Sequence, residues 1–262
     1  MAASKDSLKQ TIFVALIMCV VFSVIVSSAA VILKPMQEAN KALDLNKNVL
    51  SAAGLLEPGM SADEVNAEFA KFQVKLVDIA TGDYLTDDQM SGLGITAEGY
   101  DQKSAAKDPA FSNALDSKVD IALIKRQANY ATVYVLEDDN GQLDRVVLPV
   151  HGYGLWSTMY GFLALEGDAN TILGLSFYSH GETPGLGGEI DNPSWRAQWP
   201  GVKLFDANDQ LIITVDSKAS GDSVIDGLSG ATLTTRGVDH LVKFWMGEHA
   251  LGPYLEKLKA GV

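Results

Sequence analysis

The chain has 262 residues, 47% of them hydrophobic, enough apolar material to bury a core in one sizeable domain or two small ones. Its formal net charge of −13 excludes nucleic acid as a partner, since phosphates would be repelled and no basic run compensates. With Cys19 as its only cysteine, the chain by itself builds no disulfide, no cysteine-based zinc site and no iron–sulfur cluster.

Residues 11–33 read TIFVALIMCVVFSVIVSSAAVIL, an uncharged run. At about 1.5 Å per residue it is long enough to cross a hydrocarbon core of roughly 30 Å, so it predicts a membrane helix whose partner is the lipid bilayer. Ser27, Ser28, Ala29 and Ala30 have the small side chains of a signal-peptide cleavage site. The run nevertheless exceeds the usual core of about 7–15 residues and continues through Val31, Ile32 and Leu33, which favours an uncleaved anchor. Lys5 and Lys9 precede the span while Lys34, Lys41 and Lys47 follow it, so the positive-inside rule slightly favours an N-terminus outside the cytoplasm.

From Pro35 to about Leu55 the polar and apolar mixture reads as a helix ended near Gly54 and Pro58. Ser61 and Glu64 then form a Ser-x-x-Glu capping box ahead of Val65, Phe69 and Phe72, one apolar face of a short helix. Residues 82–117, rich in Asp, Gly, Ser and Ala, read as loops with short helical pieces. From Asn129 the texture changes to β-branched and aromatic runs. YATVYVLED, a turn at Asp139, Asn140 and Gly141, and RVVLPVHGYG predict a hairpin. Further strands are expected at 161–166, 172–179 and 211–215. A closing helix from about Thr232 to Met246 carries Val238, Leu241, Val242 and Trp245 on one stripe, and 251–259 adds another short helical turn. The fold class is mixed α/β, an α+β arrangement with a mainly antiparallel sheet and flanking helices, plus one transmembrane helix. The expected divisions are 1–10, 11–33 (membrane helix), 34–120 (helix-rich, membrane-proximal) and 121–262 (ligand-binding domain).

Three glycine-rich stretches interrupt the strand region: GYGLWS at 152–157, SHGETPGLGG at 179–188, and DGLSGAT at 226–232 followed by Leu233, Thr234, Thr235 and Arg236. Glycines let backbone approach a flat or charged ligand, and Trp156, Pro184 and Leu186 offer apolar walls for a ring. The third stretch opens a helix, whose unpaired N–H groups and positive dipole end stabilise a phosphate without a basic side chain. The residues alone leave Ser229, Thr232, Thr234 and Thr235 equivalent as caps or as phosphate carriers. No Walker or Rossmann glycine spacing occurs, and GLSGA lacks the second glycine of a nucleophile elbow, which argues against a serine hydrolase. None of His151, His180, His240 and His249 is spaced as a helix-face metal pair, so no metal site is expected.

The anchor, the Tyr-Gly-Leu-Trp stretch, the Glu-Thr-Pro-Gly-Leu-Gly loop and the 226–232 motif, in that order, resemble the C-subunit family of bacterial sodium-translocating NADH:quinone oxidoreductases over nearly the whole length. Residues 226–232 match the pattern Asp-x-x-Ser/Thr-Gly-Ala-Thr in full. The resemblance implies that a flavin transferase attaches FMN to the last threonine, Thr232, through a phosphoester, with Asp226 assisting that step. It also implies that Ser229, Gly230, Ala231, Leu233 and Thr234 surround the phosphate, and that Trp156, Thr183, Leu186 and Gly187 approach the isoalloxazine ring. The chain is then an electron carrier with no complete active site of its own, working among other subunits of the membrane complex, which is a translocating oxidoreductase. The resemblance places the N-terminus in the cytoplasm and 121–262, the FMN-binding domain, in the periplasm. Two alternatives stand beside it: the related covalent-FMN subunit of an Rnf-type electron transport complex, and a membrane-anchored binding or interaction domain without flavin.

Overall fold

The computed structural model describes residues 8–218 and 220–261. Helix α1 spans Leu8–Ala52 without a break at Pro35. The expected membrane helix and the expected helix after Pro35 are therefore one element, because one lost backbone hydrogen bond does not outweigh cooperative helix on both sides. This helix is long and apolar enough to cross a membrane, with a mean hydropathy of 2.8 in its most apolar window. Its large apolar side chains from Ile12 to Leu33 are exposed.

The chain divides into two compact units, Met1–Asp44 and Leu45–Val262. In the second, α1 ends with Val49, Leu50 and Ala52 fully buried. Helix α2 (Ala62–Phe69) starts with the expected capping box: the Ser61 amide donates to Glu64 Oε2 at 2.7 Å and the Glu64 amide to Ser61 Oγ at 3.3 Å. Strand β1 (Gln73–Asp78) follows, then helices α3 (Asp87–Leu93) and α4 (Gln102–Ala105), and the short strands β2 (Ser112–Ala114) and β3 (Arg126–Ala128), which pair with each other. Strands β4 (Tyr130–Glu137), β5 (Leu143–Tyr153), β6 (Thr158–Glu166) and β7 (Ile172–Ser179) join β1 in a five-stranded antiparallel sheet of order β1-β4-β5-β6-β7. At the β4–β5 turn the Asp138 carboxylate accepts the amides of Asn140 and Gln142, at 2.8 and 2.9 Å.

A 3-10 turn (Gly187–Asp191), helix α5 (Pro193–Arg196), the parallel pair β8 (Thr214–Val215) and β9 (Val224–Ile225), helix α6 (Thr232–Met246) and helix α7 (Gly252–Ala260) complete the fold. Of the strand expected over 211–215 only β8 is regular. Leu211 makes an isolated bridge to Phe205 across a turn closed by Asp206. The sheet is covered on both faces, which explains its continuous apolar runs. On one face Val238, Leu241, Val242 and Trp245 of α6 join Val146, Leu148, Val150, Leu163 and Leu175 in the main core. On the other, Asn48 Oδ1 accepts the Ser176 hydroxyl at 2.8 Å, and the Phe69 and Tyr134 rings meet with centroids 5.7 Å apart.

Candidate functional site

The three glycine-rich stretches meet at the N-terminus of α6. Sheet register brings the first two together: Tyr153 pairs with Thr158 to close the β5–β6 hairpin, and Tyr160 pairs with Ser179 at the end of β7. The loop at 154–157 and the loop leaving β7 therefore emerge side by side. The Gly181 amide donates to Ser157 Oγ at 2.6 Å. The Glu182 amide donates to His180 Nδ1 at 3.2 Å, so His180 Nε2 carries the proton it directs at Asp191 Oδ2, 2.8 Å away.

Glu182, which the sequence did not mark as functional, lies at the centre. It is only 5% exposed. Its carboxylate accepts the amides of Leu155 at 3.1 Å, Trp156 at 3.0 Å and Ser157 at 3.3 Å, and the Thr234 hydroxyl at 2.6 Å. Burial by itself raises the carboxyl pKa. The Thr234 hydroxyl and the three amides outweigh it and hold the group below its ordinary value, so Glu182 is an anion at neutral pH. Gly154 and Gly187 allow this approach: a Cβ on Gly154 would stand 2.6 Å from Glu182 Oε1, and one on Gly187 would stand 2.5 Å from Thr234 Oγ1.

The third stretch turns into α6 through Gly230, whose φ of 75° is left-handed. The Asp226 carbonyl accepts Trp195 Nε1–H at 2.8 Å and its amide donates to Gln198 Oε1 at 2.9 Å, so the backbone is fixed while its carboxylate is exposed. The first helical bond of α6 runs from the Thr235 amide to the Ala231 carbonyl at 2.9 Å, and no side chain caps the helix. The amides of Thr232, Leu233 and Thr234 thus face the entrance as donors. The four hydroxyls are no longer equivalent. Thr234 and Thr235 are buried, the first donating to Glu182 and the second accepting the Leu228 amide at 2.9 Å. Ser229 and Thr232 are exposed.

Around this entrance stand Trp156 (65% exposed), Leu186 (47%) and Leu233 (51%). The Gly230 position lies against Leu186 Cδ2, 3.3 Å from where a Cβ would be. Thr183 is exposed and its carbonyl accepts the amides of Leu186 at 3.1 Å and Gly188 at 2.9 Å, which shapes the loop. The structure so gathers Gly187, Leu186, Gly230, Ala231 and Leu233 around α6, and ties Trp156 to them through Glu182. Thr234 offers the site only its backbone amide. Among the described residues no group of His, Cys, Asp and Glu forms a metal site.

The FMN-binding domain family matches residues 154–247, the span that contains all three stretches from Gly154 onward. The C subunit of the Na(+)-translocating NADH-quinone reductase of Pseudomonas aeruginosa is 49% identical over 99% of both chains. That of Haemophilus ducreyi is 47% identical over 98% of this chain and 96% of its own. This chain belongs to the C-subunit family of Na(+)-translocating NADH-quinone reductases. The crystal structure of NqrC from Shewanella oneidensis is similar with a TM-score of 0.70 at 36% identity, covering 83% of this chain and 97% of its own. The crystal structure of the C subunit from Parabacteroides distasonis has a TM-score of 0.62 at 25% identity, covering 86% of this chain and 96% of its own. The family membership agrees with the mixed α/β fold and the apolar N-terminal helix.

Proposed function

We propose that this chain is the electron-carrying subunit of a membrane NADH:quinone reductase and carries FMN through a phosphoester to Thr232. The observation that bears most weight is the division of hydroxyls at the start of α6: Thr234 and Thr235 are buried and engaged, whereas Thr232 is exposed beside uncapped amides. The residues suit the group. A phosphodiester has one negative charge, which a helix start stabilises by roughly 0.3–2 kcal/mol. Trp156, Leu186 and Leu233 present exposed apolar surface for a ring.

A threonine hydroxyl is a weak nucleophile, so attachment needs a separate flavin transferase and a donor holding the flavin phosphate in an anhydride. The Thr232 oxygen forms the new P–O bond, the bridging anhydride bond breaks, and the hydroxyl proton passes to a base, for which Asp226 is the candidate. Bound FMN supplies one- and two-electron chemistry, and the protein supplies position and environment. The relatives' names, each a subunit of an NADH-quinone reductase, support a place among other subunits, and in this reading the flavin passes electrons between partners. In this reading the N-terminus is cytoplasmic and the FMN-bearing unit periplasmic.

The test is in-gel flavin fluorescence of denatured protein from a host with the transferase. Native chain and Ser229→Ala should fluoresce, and Thr232→Ala should be dark. A dark native band would remove the covalent reading, while a fluorescent Thr232→Ala band would move the bond to another hydroxyl.

A further inference from the structure

A second concavity lies beside Tyr153, the last residue of β5 before the loop that holds Trp156. It is a cavity of about 620 Å³, within the size range of small-molecule sites. Four cations line it, Lys103, Lys107, Lys125 and Arg126. The sequence hides this cluster, because the cations come from α4 and the turn after it and from the start of β3 and the residue before it, in a chain of net charge −13. Among the described residues none of the four takes part in an ion pair, although Lys103 Nζ lies over the Tyr160 ring, 4.0 Å from its centroid. The nearby Asp101 carboxylate bonds the Lys103 amide at 3.0 Å and the Ser104 hydroxyl at 2.6 Å rather than pairing with a lysine. Arg126 is fixed by its bonds to Ser112 Oγ at 3.0 Å and the Ser112 carbonyl at 2.7 Å.

The remaining walls are apolar and aromatic, from Tyr153, Tyr160, His151 and Leu123. His151 stacks on Tyr160 with centroids 5.3 Å apart. Burial, then the nearby Lys103, pushes the His151 pKa down to about 4, so it adds no charge at neutral pH.

A second observation is independent of charge. Leu123 and Lys125 have φ of 56° and 66°, left-handed values that bulky residues avoid. The buried Asp120 carboxylate enforces them by accepting the amides of Ile124 at 2.8 Å and Lys125 at 2.7 Å. The buried clamp thus holds a strained backbone at the rim of the cavity. The same segment accepts the Tyr153 amide through the Ala122 carbonyl at 2.8 Å, which fixes the shared wall.

We infer that this cavity binds an organic anion, a flat apolar body lying on Tyr153 and Leu123 with a phosphate or carboxylate head among Lys107, Lys125 and Lys103, the last held over the Tyr160 ring. Apolar walls beside cations that lie outside any ion pair suit an amphiphilic anion better than a bare inorganic ion. The inference stands apart from the flavin reading.

Phenyl phosphate, titrated calorimetrically into the full-length chain in neutral detergent, should bind saturably with one site. It should bind at least tenfold more tightly than inorganic phosphate or benzyl alcohol. The double variant K107Q/K125Q alters exposed residues and should melt like the native chain while binding at least tenfold more weakly. Thr232→Ala should bind phenyl phosphate normally. Loss of binding in Thr232→Ala would mean that the probe occupies the α6 entrance, and would overturn the inference without touching the flavin reading. Equal affinity for inorganic phosphate, equal binding by the double variant, or no saturable binding also overturns it. Dihexanoyl phosphatidic acid separates the sources: displacement of phenyl phosphate at tenfold lower concentration assigns a lipid headgroup, and its failure to do so a water-soluble metabolite.

Discussion

Glu182 holds the α6 entrance together, because one carboxylate takes hydrogen bonds from three consecutive amides of one loop and from a helix hydroxyl. Glu182→Gln replaces an oxygen by an NH2 group that cannot accept from those amides, leaving buried donors unpaired. Hydrogen bonds to a charged group contribute about 1.5–3 kcal/mol, so the variant should lose about 2–3 kcal/mol in urea unfolding at pH 7. The pH dependence has a definite sign. A carboxyl whose folded pKa is depressed binds its proton more readily in the unfolded chain, so its stabilisation is present above the ordinary value of 4.5 and fades as pH falls below it. The native chain and Glu182→Gln should therefore converge in stability on acidification from about pH 5. A gap that stays constant to about pH 3 would show that the charge is not what matters. Glu182 was not legible as a site residue: a carboxylate between Gly181 and Thr183 looks like solvated loop, and only the pairing of β6 with β7 carries it under the hairpin. Thr232, by contrast, was marked by its place in the motif, and the local sequence also announced the helix start behind it.

At the scale of elements, α6 seats against the β5–β6 hairpin through Gly237. A Cβ there would lie 2.6 Å from the Tyr153 carbonyl oxygen and 3.0 Å from Gly154 Cα, both backbone atoms that cannot swing aside. Gly237→Ala gains about 1 kcal/mol of helix propensity but must push α6 off the sheet, and overpacking costs about 1–3 kcal/mol. The expected net result is lower thermal stability together with less in-gel flavin, because the helix that bears Thr232 shifts away from the Trp156 loop. A variant more stable than native would show that α6 is not seated this closely. The periodicity of α6 made its bounds readable, since a stripe of Val238, Leu241, Val242 and Trp245 has one solution at 3.6 residues per turn. Strand β1 was not readable in the same way. Lys75 and Asp78 dilute its apolar pattern, and its pairing partner β4, matched from Gln73 with Val135 to Asp78 with Tyr130, lies some fifty residues away, too far for any single turn signal to announce the pairing.

For the whole molecule the informative boundary is at Asp44 and Leu45, inside one helix rather than at a loop. The apolar pattern of residues 11–33 ends well before that point. The eight residues from Leu45 to Ala52 belong to the second unit because their side chains complete its sheet: Val49, Leu50, Ala52 and Ala53 are 0% exposed. Polar clasps reinforce them. Asn48 accepts the Ser176 hydroxyl, Ser51 Oγ accepts Arg196 Nη2–H at 2.7 Å, and the Ala53 carbonyl accepts Arg145 Nη1–H at 2.8 Å. Gly174 leaves room for this helix end, since a Cβ there would be 2.7 Å from the Ala52 carbonyl oxygen. Two truncations separate anchoring from folding. Removal of residues 1–44 should give a water-soluble chain that melts within a few degrees of the detergent-solubilised full-length protein. Removal of residues 1–54 uncovers the surface that Leu50 and Val49 cover, each stabilising by about 1.5–3 kcal/mol when buried, and takes one hydrogen-bond partner from each of the Arg145 and Arg196 guanidinium groups. With mesophilic domains stable by only about 5–15 kcal/mol, the shorter product should aggregate or bind a hydrophobic dye at room temperature, as seen by light scattering or fluorescence. If both truncated chains melt alike, the end of α1 is merely a tether, and the sheet is closed without it.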